Sequence, residues 1–212
     1  STGFDCLSIT GNVALADGKW THVGNSGTNP VYRLYVSVGG QLTIGGGACI
    51  SAYGLGYRNQ YMAKGGAYPT GSVGGSHGGW AGGGGNLISK GVVPYGSVIA
   101  PETLGGGGGN DYGGGAIRLD VTGPLVLNGL LEANATTNTY YTGAGGSVYV
   151  RAKAISGSGA IRADSYATGG AFGSGSGGRI AIVLTGADAD FSAFDPVARC
   201  SAISYSKTAG NN

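Results

Sequence analysis

The chain has 212 residues, 48 of them glycine, a formal net charge of +2 and 10% charged side chains, against roughly 25% in an average soluble protein. A phosphate-tracking surface needs clustered Lys and Arg; the nearest approach is the spread series Arg151, Lys153 and Arg162 with Asp164 close by, so no nucleic-acid partner is expected. No apolar run reaches the roughly 18 residues of a membrane span, glycine follows no every-third-residue period as in collagen, and 41% hydrophobic content is too high for a disordered linker.

The N-terminus lacks the charged-then-apolar layout of a secretion signal, which does not exclude secretion of a processed chain. The expectation is one soluble folding unit over residues 1–212. Cys6, Cys49 and Cys200 contain no CxxC spacing. One disulfide or three small buried hydrophobes both fit.

Taken in chain order, Cys6-Leu7-Ser8-Ile9 and Asn12-Val13-Ala14-Leu15 read as an opening turn or cap. A repeated unit follows. Its first copy is the set 34–38, 41–44 and 49–52, with corners at Gly39-Gly40 and Gly45-Gly46-Gly47; its second is 117–121, 125–127 and 130–133, with corners at Gly123 and Gly129. The third is 148–152, 154–156 and 160–163, with Gly157 and Gly159 at a corner, and 179–184 begins a fourth. Internal repetition of this kind marks stacked architectures. Within a strand apolar and polar residues alternate, as in Ile117, Leu119 and Val121 against Arg118 and Asp120, the period-2 signature of one buried face. The predicted fold is therefore all-β, a right-handed parallel β-helix with triangular rungs. The stretch 187–194 is the one place read as a short helical turn.

Between the strand sets lie glycine tracts at 54–115, 136–146 and 168–178, the first carrying 23 glycines in 62 residues. That insertion is too long for an ordinary connection. Backbone without side chains packs closely, and polyproline-II-like extended segments laid against the β-helix are expected; a floppy linker is the alternative.

Six of the 13 tyrosines and Trp80 fall between positions 53 and 112, among glycines that give little apolar cover. Flat C–H faces of sugar rings stack on such side chains while nearby polar groups bond the hydroxyls. The candidate ligand-binding residues are Trp80, Tyr53, Tyr57, Tyr61, Tyr68, Tyr95 and Tyr112, with Tyr140, Tyr141, Tyr166 and Phe172 in the corresponding loops of later rungs. The competing role for any of these rings is to close the glycine layers as a second core.

Catalytic signals are weak. His22 and His77 are the only histidines and no GxSxG elbow occurs. Asp120 and Glu132 lie on different sides of one rung and need not face one another as a hydrolytic pair. Asp188, Asp190 and Asp195 form the one acidic cluster, without EF-hand spacing; a solvated loop is expected, with structural calcium unsupported and no cofactor.

The run from Gly105 through Asn110-Asp111-Tyr112 to Leu119, then Leu125-Val126-Leu127-Asn128-Gly129 and Gly157-Ser158-Gly159-Ala160-Ile161-Arg162-Ala163, resembles glycine-rich repeats of large secreted bacterial surface and carbohydrate-active proteins. It is most similar to the β-helical carbohydrate-binding modules of family 89, attached to xylan-degrading enzymes of gut bacteria. The resemblance covers most of residues 30–184 and implies an extracellular, monomeric, non-catalytic module, ancillary to a larger enzyme, with a polysaccharide partner, xylan or a related plant glycan. Two other classes are kept beside it: a β-helical polysaccharide lyase or glycoside hydrolase, and a surface adhesin or structural spacer.

Overall fold

The computed structural model describes residues 6–25, 29–58, 73–82, 93–109, 111–137, 141–168 and 173–206. Its strands in chain order are β1 (Leu7–Ile9), β2 (Val13–Trp20), β3 (Leu34–Val38), β4 (Leu42–Ser51), β5 (Ala116–Val121), β6 (Leu125–Leu127), β7 (Leu130–Glu132), β8 (Ser147–Ala152), β9 (Ile155–Ser156), β10 (Ala160–Arg162), β11 (Ser165–Ala167), β12 (Arg179–Leu184), β13 (Cys200–Ser201) and β14 (Ser204–Ser206). One short helix, α1 (Pro196–Arg199), precedes β13. The chain is all-β, and each strand pairing among the described residues is parallel.

One sheet of five strands runs β1-β3-β5-β8-β12; a second of seven carries β13-β10-β7-β4-β6-β9, with β2 on β4; β11 and β14 form a third. Successive copies of the repeat therefore lie side by side in register. Leu34, Ile117, Val148 and Ile180 form one inward column and Val36, Leu119, Val150 and Ile182 the next. On the second sheet Ile50, Leu131, Ile161 and Cys200 align. These residues belong to one continuous apolar cluster, and each large aliphatic side chain fully withdrawn from water there contributes about 1.5–3 kcal/mol.

Several local expectations change. Gly45, Gly46 and Gly47 are not a break: β4 runs through them, because β2 keeps pairing alongside, Asp17 against Gly47 and Gly18 against Ala48, across an irregularity after Leu15. The two walls expected around those glycines are thus one sheet, with β6 and β7 both against β4. The helical turn sits at Pro196–Arg199 rather than 187–194, since Asp195 caps it by accepting from the Val197 and Ala198 N–H groups and Pro196 stands at its first position. Phe194, 1% exposed, instead closes the core. Cys6, Cys49 and Cys200 are free thiols.

Described parts of the glycine tracts are ordered outside any strand. Gly56 N–H donates to Gly113 O at 2.7 Å, Gly105 to Gly114 O at 2.8 Å, Gly114 to Ala144 O at 2.9 Å, Gly145 to Ser176 O at 3.0 Å, and Ser176 to Gly75 O at 2.9 Å. The segments leading into β5, β8 and β12 are thereby tied to one another and to an outer layer drawn from 74–82 and 105–109. The partners are main-chain groups, so the layer satisfies its own polar backbone without forming a sheet.

Candidate functional site

The predicted aromatics divide. Trp80 is 57% exposed. Tyr53 and Tyr112 meet at one corner: the Tyr53 hydroxyl accepts from Thr137 N–H at 3.1 Å, and Tyr112 N–H donates to Thr136 Oγ1 at 3.1 Å. Over Tyr112 lies Arg58, its guanidinium 4.9 Å from the ring centroid and donating to the hydroxyl at 2.5 Å. Tyr166 donates to Asp164 Oδ2 at 3.1 Å and leans on Tyr205. Tyr141 takes a left-handed backbone conformation with φ of 54°.

Tyr57 is a correction. It is 1% exposed and packs with Leu104 and Ala116, so its ring offers no face to a ligand, and burial pushes its phenol above the usual range. Tyr95 is also engaged: its hydroxyl donates to Leu104 O at 2.8 Å and its ring sits 5.0 Å from that of His77. These two rings close the glycine layer, as the competing role required. Tyr61, Tyr68, Tyr140 and Phe172 lie outside the described residues.

Another concavity emerges where β2 hands over to β3. A cavity of about 920 Å³ is lined by the end of β2 (Lys19, Trp20), Thr21 and His22, the approach to β3 (31–35), Glu102 and the start of β5 (116–118). Its wall is braced by Asn25, which is 2% exposed. That side chain donates to Tyr32 O at 3.0 Å and Leu55 O at 2.9 Å and accepts from the N–H groups of Val31 and Tyr32 at 2.8 and 2.9 Å. Four bonds from one amide satisfy its full hydrogen-bonding capacity and fix the backbone beneath Tyr32.

The floor is an ordered charge cluster. Arg118 points outward from β5, as the alternation predicts, and lies between two tyrosines of the parallel ladder, 4.5 Å from the Tyr35 centroid and 5.6 Å from that of Tyr149. Its Nε and Nη2 donate to Asp120 Oδ2 at 2.9 and 2.7 Å, and its Nη1 to Glu102 Oε1 at 2.5 Å. Tyr35 donates to the same Asp120 oxygen at 2.7 Å. Burial opposes the guanidinium charge, but the hydrogen bonds and charges of the two carboxylates outweigh it and hold Arg118 more firmly protonated than usual. His22 is held below the ordinary histidine range by burial; its Nδ1 donates to Val23 O at 2.8 Å, and its buried Nε2 has no partner.

Two buried ionisable groups lie in the glycine layer. His77 donates from Nδ1 to Gly145 O at 2.7 Å and accepts at Nε2 from Thr103 Oγ1 at 2.8 Å; burial pulls its pKa to about 4. Asp111 is 3% exposed. Its Oδ1 accepts from Tyr112 N–H at 3.0 Å and from the Thr136 hydroxyl, its Oδ2 has no partner, and burial lifts its pKa to about 7.

Both His77 nitrogens are occupied and the His22 Nε2 is sealed from solvent, so neither imidazole is placed to activate a nucleophile. Asp120 is bound to Arg118 while Glu132 accepts from Ser51 Oγ at 2.7 Å on the other sheet, so the two do not form a facing pair. Asp190 accepts from Ser192 and Asp195 caps α1, which accounts locally for two members of the acidic cluster. Among the described residues no group of three or more His, Cys, Asp or Glu side chains is placed to hold a metal ion.

Sequence reading missed Trp20, Tyr32, Arg33 and Tyr35. A usable signal existed in part: Tyr35 alternates with the buried Val36 and so faces outward beside Arg118, but Trp20 lies beyond the alternating run at 13–15. No protein-family model, curated protein or solved structure matches the chain.

Proposed function

We propose that the stacked sheets wind as a right-handed parallel β-helix, with polyproline-II-like glycine segments along one side, and that the chain is an extracellular, non-catalytic polysaccharide-binding module. Its ligand in this reading is xylan or a related plant cell-wall glycan, and its setting is a larger secreted glycoside hydrolase. The supporting observation is the cavity of about 920 Å³, where the rings of Trp20, Tyr32 and Tyr35 stand beside Arg33, Glu102 and Arg118. Aromatic faces with a few fixed polar groups suit a sugar ring, and Asn25 with the Arg118 cluster presets that wall, lowering the ordering cost of binding.

The test is affinity electrophoresis of the full chain through gels holding xylan, mixed-linkage glucan, mannan or pectin, with Trp20→Ala and Trp80→Ala alongside and reducing ends assayed afterwards. Retardation in xylan without new reducing ends is expected, weakened about tenfold in Trp20→Ala; because Trp20 also packs on the core opposite Ile50, the melting temperature of that variant is read alongside. Loss in Trp80→Ala alone would move the site to the glycine layer. New reducing ends would favour the lyase or hydrolase reading, and no retardation on any glycan the adhesin or spacer.

A further inference from the structure

The charges around the cavity are unevenly spent. Arg118 is paired, with Asp120 on one edge of its guanidinium and Glu102 on the other. Glu102 is shared: its second oxygen forms a longer ion pair with Arg33 Nη1 at 3.9 Å, beyond hydrogen-bond reach, so the Arg33 fork keeps its N–H donors available. The Arg33 side chain is 48% exposed. Lys19 also lines the cavity, is exposed, and has no ion pair among the described residues. His22, held neutral near pH 7 by burial, adds no charge. Three cations, Arg118, Arg33 and Lys19, thus face two carboxylates, Asp120 and Glu102, and the surplus positive charge falls on the exposed Arg33 and Lys19 beside the half-buried indole of Trp20.

A neutral sugar has no use for them. A sugar ring bearing a carboxylate fits both features, its C–H face on the aromatic surface and its anion across the Arg33 fork, with Lys19 as a second point charge. We infer that this cavity recognises a uronic-acid-bearing glycan, discriminating carboxylated from uncharged sugar units through Arg33 and Lys19. The inference rests on the binding reading above and narrows its ligand.

Binding of the full chain to a uronate-substituted xylan is compared with binding to the same polymer after its carboxylates have been reduced to primary alcohols. Wild type is expected to bind the native polymer about tenfold tighter at low salt, and raising ionic strength from about 0.02 to about 0.5 M should collapse that preference through screening. Arg33→Gln is expected to weaken binding to the native polymer about tenfold more than binding to the reduced one and so remove the preference, and Arg33→Lys restores part of it. Equal affinity for the two polymers, weakened alike for both by Trp20→Ala, would overturn the inference and leave the polysaccharide-binding reading standing. An unchanged preference in the Arg33→Gln, Lys19→Gln double variant would overturn it as well. Failure of wild type to bind either polymer would remove both.

Discussion

Gly114→Ala is expected to destabilise the fold by about 3–5 kcal/mol, whereas Gly46→Ala leaves it as stable as wild type or slightly more so. A methyl group on Gly114 would stand 1.8 Å from Ala133 O and 2.5 Å from Gly146 N. Those two atoms are themselves bonded, Gly146 N–H to Ala133 O at 2.7 Å, so the added carbon falls in the path of a main-chain hydrogen bond between consecutive copies of the repeat. Neither atom belongs to a flexible side chain. Relief requires the copies to part, which also strains the bond from Gly114 N–H to Ala144 O. Overpacking alone costs about 1–3 kcal/mol, each lost hydrogen bond about 1 kcal/mol more, and a domain has roughly 5–15 kcal/mol in hand. At Gly46 the nearest atom to a new methyl is Asn128 O at 4.0 Å, and a compatible Gly→Ala change gains about 0.4–1 kcal/mol by restricting the unfolded chain. Thermal denaturation of the two variants beside wild type checks this; equal melting temperatures would show that the glycine layer yields more easily than its contacts imply.

Asp111→Asn should stabilise the protein at pH 8 and leave it unchanged at pH 4. The Asp111 carboxyl titrates near 7 when folded against 3.8 as its ordinary value. The folded state thus holds the proton more tightly, so its contribution is complete below about pH 4 and is lost as pH rises to about 7. The full loss is at most about 4 kcal/mol. His77 works in the other direction: with a folded pKa of about 4 against 6.5, it lets stability fall as pH drops from 6.5 towards 4, and His22, also lowered by burial, adds to that slope. The opposing slopes overlap and flatten the wild-type profile between about pH 4 and 6.5. Asparagine at 111 keeps the acceptor for Tyr112 N–H and removes the charge, exposing the histidine slope alone. Urea denaturation across pH 4–8 reads both effects, and an unaltered profile in the variant would show that Asp111 is not the group responsible.

Much of the stack was legible from sequence because it depends on local alternation. Ile117, Leu119 and Val121 announce an inward face and Arg118 and Asp120 an outward one, and all five keep those faces. The order in which strands neighbour one another follows from the same copies aligning. Less legible was what glycine does at each place. Gly45 and Gly47 look like Gly157 and Gly159 in sequence, yet the first pair is carried through a strand by the continuous partner β2, while Gly157, at φ 114°, needs the left-handed region that only glycine enters freely. Tyr57 likewise cannot be told from Tyr53 by its neighbours. What buries the one and not the other is Leu104, dozens of residues away in the chain. The cavity was hidden for a similar reason: Trp20 ends β2, whose last residues, 16–20, leave the alternation seen at 13–15, Tyr32 and Tyr35 lie just before and within the start of the first copy, and its polar members come from segments remote in sequence.

A layer held chiefly by main-chain bonds, with a few inward side chains such as His77 and Tyr57, places few demands on its outward ones. In the glycine tracts the interior is defined by subtraction, since glycine at contact points such as Gly114 and Gly146 cannot be exchanged. A position such as Trp80, more than half exposed among its glycines, leaves most of its ring outside that layer. The structure thus separates heritable constraint from heritable freedom residue by residue: one set of sites must stay mute for the chain to fold, and the neighbouring set can be rewritten without renegotiating the scaffold.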